Sequence, residues 1–413
     1  MNSSRKTKLI LILGMLTAIG PFSIDMYLPG FPAIAEDLHT TVAKIALSLS
    51  SFFIGISVGQ LFYGPLLDRF GRKKPLYVGL TIYFLASIGC AMAKSPEALI
   101  WLRLFQALGS CSGLVAARAM IRDLFPVEEN AKVFSLLMLV VGVSPIIAPT
   151  LGGYLTAAYS WRYVFVVLTI MSALVLAALH FYLPESRKPD PTVSLKPQNI
   201  LRGYIAIAKD PQFYTYACAG AIAAAGLYSY IAGSPQVFIQ IFQVSEKQYG
   251  WIFASIAAGL IICSQLNSLM LRKYKSEQLS LAALCVQSFT GIVLVAGTAM
   301  HLYNVFGTIG LCFIFLSCQG FIFPNTSALS LAPFTKNAGT ASALLGSIQL
   351  GIGATATALV SFFSNDTALP MTTAMATCSL LSCLILLVGG KIIRNKATLE
   401  VVEEEAAEMM MNS

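Results

Sequence analysis

The sequence predicts an all-α membrane protein with twelve transmembrane helices arranged as two six-helix bundles. Three observations carry that prediction. Of 413 residues, 56% are hydrophobic and only 11% charged, and the mean hydropathy is +0.74. A soluble domain carries about 25% charged residues, so this chain has too little polar surface to meet water on all sides. Apolar segments of spanning length, about 17–25 residues, recur along the chain. Cations collect in alternate loops, as fixed membrane topology requires.

The spans fall near 9–31, 44–66, 75–93, 97–119, 133–155 and 163–183, then near 212–233, 249–271, 279–299, 304–325, 340–363 and 370–390. The only long polar interruption is 184–211, opening Pro184-Glu185-Ser186-Arg187-Lys188-Pro189, whose proline and charge mark a linker. Four units follow: a six-helix bundle over 1–183, a cytoplasmic linker over 184–211, a second bundle over 212–390, and a cytoplasmic tail over 391–413. With the N-terminus inside, 21 of the 27 Lys and Arg residues lie on the cytoplasmic face. Only Lys44, Lys94, Arg162 and Lys247 lie opposite, and Arg103 and Arg118 fall within the fourth span. Both termini are therefore expected in the cytoplasm.

The same charge pattern accounts for the net charge of +8 without nucleic acid as a partner. The nine cysteines contain no C-x-x-C pair and read as small core residues, and three histidines do not suggest a metal site. Arg5-Lys6-Thr7-Lys8 before an apolar run resembles a signal peptide. The run holds an acid and ends in no small-residue cleavage site, so a retained first span is expected.

Ionisable groups inside a span are costly and mark function. Asp25 stands in Ser23-Ile24-Asp25-Met26-Tyr27-Leu28-Pro29, a region that three prolines (Pro21, Pro29, Pro32) are expected to break. Broken helices accompany transporter binding sites; alternatively the span ends near Leu28 and Asp25 lies among the headgroups. Arg103 on the fourth span lies at comparable depth and is the expected partner of Asp25, or else it holds helices together through backbone carbonyls. Burial raises a carboxylate's pKa and a nearby Arg lowers it. A site whose hydration alternates can thus load a proton on one side and release it on the other.

Several motifs resemble the major facilitator superfamily of secondary transporters. The loop Gly64-Pro65-Leu66-Leu67-Asp68-Arg69-Phe70-Gly71-Arg72-Lys73 fits its pattern between helices 2 and 3, and Arg103 with Gln106 fits the helix-4 pattern. Pro145, Pro149, Gly152 and Gly153 on the fifth span fit the helix-5 antiporter motif, with Ala148 in place of its central glycine. Ser23-Ile24-Asp25-Met26-Tyr27-Leu28-Pro29-Gly30 and Ala338-Gly339-Thr340-Ala341-Ser342-Ala343 are similar to the Bcr/CflA branch of drug:proton antiporters, named for bicyclomycin and chloramphenicol resistance.

The resemblance implies the major facilitator fold, a multidrug efflux transporter of the inner membrane, and exchange of a small drug for H+. It implies no cofactor beyond the proton and a working monomer. Asp25 and Arg103 would couple to the proton. Gly64, Asp68, Arg69, Gly71, Arg72 and Asp123 would form a latch, with Gly64 close against span 11, Asp68 at the N-terminal end of that helix, and Arg72 paired with Asp123. Phe22, Tyr27, Gln106, Ser110, Tyr228, Tyr230 and Gln349 are candidates for a pocket between the halves. A metabolite exporter (amino acid or sugar) of the same fold is the alternative. A membrane enzyme would need a convergent catalytic set, and a channel would need rings of like groups from several subunits. Neither is present in the sequence.

Overall fold

A computed structural model describes the backbone of residues 3–334 and 337–411; side chains 3–5, 127–132, 134–135, 138 and 394–411 lie outside the description. Arg5, Lys132, Lys336, Arg394 and Lys396, counted above, are therefore outside it. The described backbone is helical, with twelve stretches long and apolar enough to cross a membrane.

Span 1 consists of α1 (Ser3–Asp25), a 3-10 turn (Leu28–Gly30) and α2 (Phe31–Asp37). Pro21 lies within α1 without ending it. Pro29 and Pro32 instead stand second in the next two segments, inside the first turn, where a missing N–H costs nothing. Spans 2 to 6 are α3 (Val42–Phe70), α4 (Lys73–Ala91), α5 (Pro96–Leu124), α6 (Val127–Ala158) and α7 (Arg162–Phe181). Thr41 and Ser95 cap α3 and α5 by accepting from Lys44 and Ala98 N–H groups, satisfying donors that have no intrahelical partner.

The segment expected as a plain linker holds a helix of its own, α8 (Pro197–Ala208). Span 7 is α9 (Pro211–Ser234) with a π-helical end at Pro235–Ile241. Spans 8 and 9 are α10 (Glu246–Met270) and α11 (Ser276–Ala299). Span 10 breaks at Cys318 into α12 (Val305–Ser317) and α13 (Gln319–Leu331). Beside the break, Gln287 Nε2 donates to the Phe315 carbonyl at 3.1 Å. Spans 11 and 12 are α14 (Ala338–Phe362) and α15 (Leu369–Met411).

The halves meet along two seams, α3 against α14 and α6 against α10. In the first, Ser50 and Thr357 hydroxyls lie 2.7 Å apart and Ser57 Oγ donates to the Ser347 carbonyl at 2.8 Å. Gly346 packs so tightly on Gln60 that an added Cβ would overlap its side-chain oxygen. At the end bearing the Arg72 loop the seam loosens: an added Cβ on Gly64 or Gly339 would meet nothing within 4 Å. At the opposite end, Trp161 and Arg162 both donate to Asp37 Oδ2, at 3.3 and 2.5 Å, tying α2 to α7.

Candidate functional site

Among the described residues the charged side chains that are buried are Asp25, Arg72 and Arg103. Asp25 is the last residue of α1 and retains 5% of its surface. No ion pair or hydrogen bond to its carboxylate exists among the described residues. The expected pairing with Arg103 is therefore corrected.

Helical phase explains why. Residues two apart on an α-helix point about 200° apart. Ser23 turns into the first half, where its hydroxyl lies 2.7 Å from Tyr83 Oη. Asp25 turns the other way, into electrostatic reach of Tyr228 on α9 and Tyr249 on α10, both in the second half.

Arg103 is fully buried. Its Nη1 donates to Gln106 Oε1 at 2.6 Å and its Nη2 to the Ser23 carbonyl at 2.9 Å. The guanidinium lies over the rings of Phe52 and Tyr27, at 4.2 and 4.7 Å from their centroids. Helix ends leave carbonyls without amide partners, and Arg103 supplies a donor to one of them, two residues before Asp25. Of the two sequence readings, interhelical glue through a carbonyl is the one the geometry matches.

The remaining pocket candidates separate into two sets. Tyr27, Gln106 and Ser110 are buried in the first half's own packing. Tyr27 Oη meets Ser48 Oγ at 2.9 Å, Gln106 Nε2 donates to Ser87 at 2.8 Å, and Ser110 donates to the Ala107 carbonyl. Tyr230 is enclosed in the second half against Phe238 and Phe253. Tyr228 bridges the halves: its ring lies 4.7 Å from that of Phe53, and against Gly353, where no Cβ would fit. Gln349, one turn from Gly353 on α14, keeps a buried Nε2 without a partner, and Phe22 is half-buried on α1. Phe53, Gly353 and Tyr249 were missed; Gly353 had a signal, lying in the small-residue run of span 11.

The Arg72 loop is clasped as expected in one respect and differently in two. Arg72 Nε donates to Asp123 Oδ2 at 2.7 Å and its Nη1 to Asp68 Oδ1 at 2.8 Å. Asp68 also accepts from Arg187 at 3.1 Å. It is thus held by the loop and the linker rather than by the end of α14, and Gly64 stands in open space rather than against that helix. For Asp68 the physical reason is that the Arg72 and Arg187 guanidiniums offer full positive charges within reach, against only the partial charge of a helix end. Glu185 accepts from the Arg72 and Lys73 N–H groups at 2.7 and 3.1 Å, capping α4. Gly71 sits at φ +81°, a conformation other residues resist, and Arg69 Nη1 donates to the Val193 carbonyl at 2.9 Å.

On α6 the glycines make backbone-to-backbone approaches. An added Cβ on Gly152 would overlap the Met26 carbonyl just beyond Asp25, and one on Gly153 would lie 2.5 Å from the Glu246 carbonyl of α10. Gly250 of α10 returns the contact against Pro149 and Thr150. Gly153→Leu is expected to spread this end of the α6–α10 seam. Spin labels at Ala157 and Gln243, which line one recess across it, should move apart by several ångströms. An unchanged distance would mean that the seam does not depend on this approach.

The major facilitator superfamily model matches residues 13–358. A bicyclomycin resistance protein homolog of Haemophilus influenzae is 32% identical over 385 residues, covering 93% of this chain and 96% of that protein. The multidrug resistance protein MdtL of Escherichia coli is 29% identical over 337 residues, covering 81% and 83%. A crystal structure of a D-xylose-proton symporter superposes with a TM-score of 0.71 at 13% identity, covering 92% of this chain and 97% of that one, which speaks for the fold alone. The twelve spans, their two-seam packing and these matches make the chain a multi-pass membrane transporter, not an enzyme: it belongs to the major facilitator superfamily, in its Bcr/CflA branch.

Proposed function

We propose that this transporter is a proton-coupled exporter, a drug/H+ antiporter that moves small, moderately hydrophobic antibiotics out across the inner membrane as a monomer. The observation that carries this reading is Asp25, a buried carboxylate facing the other half and held by no basic group among the described residues. Such a group can exchange a proton without first breaking an ion pair. The relatives named for bicyclomycin and multidrug resistance support the cargo class. Positive charge gathered at the Arg72 end supports a cytoplasmic position for that end and for both termini. The seam closed near Gly153 and loosened near Gly64 then corresponds to an inward-facing state.

Everted membrane vesicles holding an acid interior and a pH-sensitive dye provide the test. Bicyclomycin or chloramphenicol added outside should discharge the gradient in vesicles containing the protein and not in empty ones. Discharge by amino acids or sugars, with none by drugs, would replace the drug reading with metabolite export.

A further inference from the structure

Helix α8 has a wider apolar face than the protein covers. Tyr204 and Ile207 are buried against the bundle, Ile207 in a cluster with Phe213, Ala341 and Leu345. Leu201 and Ile205, one turn apart on the adjoining stripe, are 58% and 45% exposed. Beyond that stripe lie Arg202 and Lys209, both exposed, with exposed Lys196 before the first turn. Docked apolar residues, bare apolar residues and cations thus follow one another around the helix.

The anchor sets the depth. Pro65 has no N–H, so the Leu61 carbonyl four residues earlier lacks its helical donor. Tyr204 Oη donates to that carbonyl at 2.9 Å, and burial pushes the Tyr204 phenol above its usual range, which keeps it a donor. The 29 residues of α3 extend about 44 Å against a hydrocarbon core of about 30 Å. With the excess shared between the two ends, Leu61, about 14 Å from the helix end at Phe70, lies about 7 Å inside the edge of that core, a depth that a tyrosine side chain can reach from the boundary. Helix α8 therefore lies along the boundary between acyl chains and headgroups, where a basic amphipathic helix binds lipid.

We propose that α8 is a docking site for an anionic phospholipid of the facing leaflet, with acyl chains on Leu201 and Ile205 and the headgroup phosphate on Arg202 and Lys209. Helix α8 touches α3 through Tyr204 and α14 through Ile207, so the lipid sits across the seam that must close near Gly64. This goes beyond the export reading and does not depend on what is carried.

The three native tryptophans, Trp101, Trp161 and Trp251, stand at the opposite ends of the helices from α8. Ile205→Trp thus adds a separate reporter at an exposed position. The full chain is reconstituted in phosphatidylcholine vesicles with increasing brominated phosphatidylglycerol or brominated phosphatidylcholine, and the unsubstituted chain supplies the background. Brominated phosphatidylglycerol should quench the added emission at a mole fraction several-fold lower than brominated phosphatidylcholine. Adding Arg202→Gln and Lys209→Gln should erase that preference while quenching by both lipids persists. Equal quenching by the two headgroups, quenching by neither, or a preference that survives the double substitution would each overturn the proposal. None of these outcomes bears on transport.

Discussion

Asp25→Asn is expected to abolish uphill export while leaving the protein folded and able to bind its drug. Asparagine matches the shape of the protonated acid and cannot titrate. Because the carboxylate makes no ion pair or hydrogen bond among the described residues, its replacement orphans no partner. Stability should fall by no more than about 1 kcal/mol, the centre of the range for single substitutions. One charge crossing 100 mV is worth about 2.3 kcal/mol, which at about 1.4 kcal/mol per decade sustains a drug gradient of roughly 50-fold. Without a proton to return, that ratio should fall to about one while downhill exchange persists. Accumulation of labelled drug in energised everted vesicles, beside a binding isotherm on the purified variant, separates the two effects. Accumulation against a gradient by the variant would remove Asp25 from the coupling step.

The twelve spans were legible because length and apolarity are local properties of a segment. The Arg72–Asp123 pair was legible through the resemblance of the Gly64–Lys73 loop to the superfamily pattern, and the structure brings the two together. Side-chain direction inside the membrane was harder to read. Asp25 and Arg103 do lie on neighbouring helices, but depth alone does not say which way each turns. The phase of α1 relative to Ser23 decides it, and that phase became readable only once Tyr83 fixed the Ser23 side. The proline-rich stretch of span 1 does interrupt the helix between Asp25 and Phe31, although Pro21 lies inside α1 without ending it. Linker contacts escaped notice because Glu185, Arg187 and Tyr204 act on residues more than a hundred positions earlier, and no local pattern announces a cap supplied from so far along the chain.

Arg103 should prove a positioning residue, with effects on structure first and coupling second. Arg103→Ala removes two charge-assisted hydrogen bonds and the cation stacked on Phe52 and Tyr27, leaving Gln106 Oε1 and the Ser23 carbonyl unsatisfied. Hydrogen bonds to charged groups contribute about 1.5–3 kcal/mol each, so a loss on the order of 3–5 kcal/mol and a clear drop in the thermal midpoint are expected. Arg103→Lys keeps the charge but not the planar fork that reaches two acceptors at once. It should fold, with a smaller drop in midpoint, while export falls because the turn carrying Asp25 loosens. A double-mutant cycle distinguishes this from direct pairing. Residues without a shared contact add within about 0.3–0.5 kcal/mol, whereas paired residues couple by 0.5–3 kcal/mol. The stability costs of Asp25→Asn and Arg103→Lys should therefore add. A coupling energy above about 1 kcal/mol would restore the ion pair that the sequence suggested and return Arg103 to the proton step itself.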